Sequence, residues 1–88
     1  MAAPEVAERF GRNLLAARRR AGFSQEELGS FAALHRTEIG LLENGPRVPR
    51  IDTVVKLAAC LAIPAGDLLA GIDWAPRMPS HGSFLIRP

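Results

Sequence analysis

Apolar residues recur every three or four positions along most of this chain, and the interruptions fall where helices must end. Val6, Phe10, Leu14 and Ala17 form one stripe, which predicts a helix over residues 5–21. Gly22 ends it, and Arg18, Arg19 and Arg20 occupy its last turn, where the helix dipole favours cations. Ser24 and Glu27 stand at capping-box spacing and open a short second helix, with Leu28, Phe31 and Ala32 facing inward. Ala33 and Leu34 make a turn and His35 takes the next capping position. A third helix follows over residues 36–43, with Leu34, Ile39 and Leu42 on the buried side. Asn44-Gly45-Pro46 is a strong stop signal. A loop through Arg47, Val48 and Pro49 leads into a fourth helix of about a dozen residues, where Val54, Leu57, Ala58 and Leu61 keep the helical period and Asp52 sits in the first turn. Pro64 starts a fifth, short helix that buries Leu68 and Leu69 and ends at Gly71.

The pattern changes after Gly71. Three prolines and a glycine in IDWAPRMPSHGSFLIRP rule out a continuous helix. Phe84, Leu85 and Ile86 form a short β-prone run. The chain therefore divides into an all-α unit of five helices, residues 1–71, and an extended or β tail, residues 72–88. No internal repeat and no low-complexity segment is present.

Composition then removes whole classes of function. Eighty-eight residues, 48% of them hydrophobic, make one domain with a single modest core. The longest stretch without a charge, Leu57 to Gly66, has ten residues and contains Pro64. A membrane span needs about 20 apolar residues. The first ten residues carry two glutamates and no apolar segment, so a signal peptide is not expected and the expected location is the cytoplasm, at the nucleoid. Cys60 is the only cysteine and reads as a small packing residue. His35 and His81 are isolated, so no metal, cofactor or catalytic cluster is expected and the chain does not read as an enzyme. The net charge is only +2, but ten of the eleven cations are arginine. Arginine binds phosphate and the guanine edge in a bidentate manner that lysine cannot match.

Two short helices joined by a tight turn inside a five-helix bundle have the geometry of a helix-turn-helix. In that geometry the second helix crosses the DNA backbone and the third enters the major groove. Ile39 and Leu42 bolt the third helix to the core, while Arg36, Thr37 and Glu38 project from its first turn toward base edges. Leu41, one turn on, can offer a methyl contact to thymine.

Leu14, Arg18, the SQEEL of residues 24–28, Ile39, the LENG of 42–45, Pro49 and the run from Val54 to Leu61 together resemble the phage-repressor and Cro-type helix-turn-helix family, often called XRE-like. The resemblance extends from Gly11 to Leu69, about two-thirds of the chain. It implies that Arg36 and Thr37 are the principal base readers, with Glu38 and Leu41 in support. It further implies that Gln25 contacts phosphate while bracing the recognition helix, and that Asn44 and the following loop, including Arg47, grip the backbone; Arg50 is expected to join them. Arg18 and Glu43 match a pair that joins the first and third helices, a structural role. Two positions depart from the family pattern. Ala33 stands where glycine is usual, at about 1–2 kcal/mol if the residue must be left-handed. His35 replaces a small hydroxyl cap, which weakens the helix start by about 1 kcal/mol.

These residues imply a sequence-specific DNA-binding transcriptional regulator whose partner is double-stranded DNA. A reader this small gains most as a homodimer on a palindromic operator. Ile72, Trp74, Phe84, Leu85 and Ile86 offer apolar area beyond what the core pattern needs, and are expected to build that dimer by strand pairing or by packing on a partner's helices. The alternative is an antitoxin or other protein-interaction module, in which the same scaffold presents the tail to a protein partner.

Overall fold

The computed structural model describes residues 4–45 and 47–88. Pro46, part of the expected stop signal, lies outside them. Five helices come first: α1 (Pro4–Ala21), α2 (Gln25–Ala32), α3 (Arg36–Asn44), α4 (Ile51–Leu61) and α5 (Ala65–Leu68). Two strands follow, β1 (Ile72–Arg77) and β2 (His81–Ile86). Every helix expected from the sequence is present, with boundaries shifted by about a residue or two.

The core forms where the stripes of α1 to α5 meet. Phe10, Leu14, Leu28, Ile39, Leu42, Leu57 and Leu68 are fully buried. Each such side chain stabilises the fold by about 1.5–3 kcal/mol relative to its exposed state. α3 packs on both α1 and α2, so it has neighbouring helices behind it on two sides. Two expected core residues are outside. Phe31 is 66% exposed and rests at the surface against Phe23, their ring centroids 5.4 Å apart. Leu69 is 47% exposed, because α5 is only one turn long and turns a single leucine, Leu68, inward. Among the described residues, no helix is long and apolar enough to cross a membrane.

The tail is a β-hairpin rather than a lone strand. β1 and β2 pair antiparallel, Ile72 opposite Ile86, Trp74 opposite Phe84 and Arg77 opposite His81. The expectation that Phe84 to Ile86 must find a strand is met inside the chain, by a segment whose Pro76 masked its β character. Proline is tolerated because each strand of a two-stranded hairpin is an edge. Alternation puts Ile72, Ile86, Trp74 and Phe84 on one face. Ile72 packs against the helical core, so it is not surplus apolar area as the sequence suggested. Trp74 and Phe84 meet edge to face, 5.0 Å between centroids, and remain largely exposed. The Trp74 ring lies over Gly82, where any side chain would collide with it. At the base of the hairpin Arg87 N–H donates to Gly71 O at 2.8 Å, and Arg87 pairs with Asp73 at 2.5 Å.

Candidate nucleic-acid interface

The geometry of α2, the turn and α3 is set by local hydrogen bonds. Ser24 Oγ accepts from Glu27 N–H at 3.0 Å, and Glu27 Oε1 accepts from Ser24 N–H at 2.8 Å, so the expected capping box is complete. Leu34 N–H donates back to Gly29 O at 2.8 Å, closing the turn. Ala33 is left-handed, with φ 57° and ψ 41°, so the cost of about 1–2 kcal/mol anticipated for a non-glycine residue is incurred. Gly29 is required by close approach, since a Cβ there would lie 2.6 Å from Leu34 O. His35 is not a weak cap: its Nδ1 accepts from Thr37 N–H at 3.0 Å, the bond a serine or asparagine oxygen would supply.

Behind this turn lies a buried polar node. Arg18 donates from Nε to Glu43 Oε2 at 2.5 Å and from Nη2 to Glu43 Oε1 at 3.0 Å. A third donor, Nη1, reaches Phe23 O at 2.9 Å. Gln25 Nε2 donates to Glu43 Oε1 at 3.0 Å, so one carboxylate ties α1, α2 and α3 together. The side chains of Arg18 and Glu43 are only 11% and 3% exposed. The hydrogen bond that Arg18 donates to Glu43, opposed by burial and aided by the carboxylate's charge, raises the Arg18 pKa above its ordinary value. Arg18 and Glu43 thus hold the structural places expected for them, and Gln25 braces α3.

The first turn of α3 carries Arg36 and Thr37 exposed, with Glu38 and Leu41 half-buried beside them. Glu38 is held by Arg47 Nη1, donated from the loop that follows α3. Nothing in a spacing of nine residues signals that contact; only the fold-back of the loop creates it. Asn44 is exposed at the far end of α3. Arg50 caps the start of α4 through its backbone only, its guanidinium exposed and 3.3 Å from Asp52. Ile72, Trp74, Phe84, Leu85 and Ile86 belong to the hairpin and to none of these contacts. The sequence also gave no sign of an apolar groove of about 370 Å³ lined by Val6, Phe10, Val48, Ile51, Val55 and Leu69. Among the described residues no group of three or more acidic, histidine or cysteine side chains is arranged to hold a metal.

The model of the family described as Helix-turn-helix, HTH_3, matches residues 14–68, from the core leucine of α1 to that of α5. The chain belongs to this helix-turn-helix family. The membership covers the XRE-like regulators that the sequence resembled, and places the chain among DNA-binding transcriptional regulators. Solved structures agree. The restriction-modification controller protein C.AhdI from Aeromonas hydrophila is 34% identical, with a TM-score of 0.69 over 70% of this chain and 94% of that one. The hypothetical transcription factor NHTF from Neisseria is 29% identical, with a TM-score of 0.70 over 74% of this chain and 73% of that one. PlcR from Bacillus thuringiensis, solved in complex with the peptide PapR7 and DNA, is 28% identical, with a TM-score of 0.64 over 69% of this chain but only 21% of its own. No curated protein matches the chain.

Proposed function

We propose that this helix-turn-helix chain is a sequence-specific transcriptional regulator that binds a palindromic operator as a homodimer. One observation carries the reading: the N-terminal turn of α3 presents Arg36 and Thr37 to solvent while Ile39, Leu42 and Glu43 fix the helix from behind. A reader whose orientation is fixed by the core can discriminate base edges, and an arginine at the tip is suited to guanine. Arg36 reads guanine in this proposal, Thr37 contacts the neighbouring base or phosphate, and Leu41 packs on a thymine methyl. Gln25, Asn44 and Arg50 contact phosphates and set the register.

The second copy is proposed to sit about one helical turn away, 34 Å along the duplex. Trp74, Phe84 and Leu85 supply exposed apolar area for that contact, with Ile72 and Ile86 as the partly buried root of the same hairpin. The test is selection of bound duplexes from a random pool with the wild type and with Arg36→Ala. The wild type is expected to recover an inverted repeat. Arg36→Ala is expected to lose roughly 1–3 kcal/mol and the preference at one base position per half-site. Unchanged affinity and unchanged base preference in that variant would remove α3 as the reader.

A further inference from the structure

The contact between Glu38 and Arg47 is unusual for a surface meant to meet DNA. A carboxylate at the tip of a recognition helix faces a polyanion, and the cation beside it is the residue whose loop position would otherwise send it to a phosphate. Glu38 is 26% exposed and Arg47 52%, so the pair lies on the surface and the fold has little need of it. If Arg47 left for a phosphate on binding, the Glu38 carboxylate would be stranded against the negative backbone. Keeping the pair avoids that. The guanidinium has five N–H donors; among the described residues only Nη1 is engaged, by Glu38 Oε1, and Glu38 Oε2 accepts no hydrogen bond. The couple therefore holds further N–H donors and a second carboxylate oxygen on two side chains already in contact.

We infer that Glu38 and Arg47 act as one composite reader of a single G·C base pair, with the guanidinium donating to guanine N7 and O6 and the carboxylate accepting from the cytosine amino group. The major-groove edge of G·C presents two acceptors and then a donor, which a donor–donor–acceptor row matches. An A·T pair is rejected at two points. The adenine amino group would face the guanidinium donors, and thymine O4 would face the carboxylate. Arg47 is in this way a specificity-determining residue rather than a phosphate clamp, and it also positions Glu38. The inference rests on the proposal that α3 is the reading helix.

The experiment is the same duplex selection, run on the full chain with Glu38→Ala, Arg47→Ala, Arg47→Lys and the double variant, with Arg36→Ala in parallel and affinities followed against salt. The expected result is a G·C preference at one position per half-site that falls about tenfold in each single alanine variant. The double variant should lose no more than either single one, since the two side chains act as a unit. Arg47→Lys keeps the charge but not the fork and should fail to restore the preference. The salt slope of Arg47→Ala should change by well under one unit. Retention of every base preference by Arg47→Ala, with a slope flattened by about one unit, would make Arg47 a phosphate contact and overturn the inference. In that case a position lost only in Arg36→Ala would leave α3 standing as the reader. If Arg36→Ala also loses nothing, or the chain selects no duplex, both proposals fall.

Discussion

At His35 a side chain uncommon in its position performs the expected task by other means. The imidazole Nδ1 supplies the acceptor that the first turn of α3 needs. His35→Ala is therefore expected to cost about 1 kcal/mol in denaturant unfolding, and His35→Ser to cost little. At Ala33 the penalty is unrelieved, so Ala33→Gly is expected to raise stability by about 1 kcal/mol, checked by the same measurement. Glu43→Ala leaves Arg18 buried without its partner, and a loss of roughly 3–5 kcal/mol is expected, enough to unfold much of the population near physiological temperature. The raised Arg18 pKa gives this contribution a simple pH profile. A cation stabilised by folding contributes fully below its unfolded pKa and is lost only as pH climbs through the folded one, so Arg18 makes no titration step in stability between acid and mild alkali.

Helices were legible because their signals are local. Periodic stripes, the Ser24–Glu27 capping box, and Gly22 and Gly45 at the ends of α1 and α3 lie within a few residues of what they specify. What the sequence hid was decided by tertiary context. Phe31 falls on the helical period of α2, yet lies at the surface against Phe23 rather than in the core. β1 was invisible because Pro76 argues against a strand and its partner lies beyond a turn. In the candidate site, the exposure of Arg36 and Thr37 followed from their place at the start of α3, whereas the grip of Arg47 on Glu38 depends on a loop path that no spacing rule predicts. Gly40, mid-helix in α3, is a weak point of this element. A Cβ there would stand 3.8 Å from the Gln25 amide, ordinary contact distance. Gly40→Ala is expected to add about 0.5–1 kcal/mol of thermal stability without disturbing the fold.

For the whole molecule, the proposed homodimer raises the question of which apolar surface joins the two copies. Trp74 and Phe84 on one face of the hairpin, Leu85 on the other, and the groove around Ile51 and Val55 are all exposed. Sedimentation of Trp74→Ser with Leu85→Ser, set beside Ile51→Ser with Val55→Ser, separates them. Under the proposed dimer the wild type is expected to sediment as a dimer and the hairpin variant as a monomer. A dimer that survives it and is lost in the groove variant would transfer the interface to the helices.

The carboxylate of Glu43, shared by Arg18 and Gln25, has one more consequence, for motion. A helix joined to two others through a single buried group has no inexpensive way to open alone. Its amide protons should exchange with solvent only when the entire helical unit opens, on the slow timescale of global unfolding. Those of the hairpin, held by two edge strands, should exchange through smaller and faster openings. The surface proposed to read DNA is then ordered beforehand, so association is expected to carry no ordering cost for the α3 backbone, and its heat-capacity change should reflect the area of the interface alone.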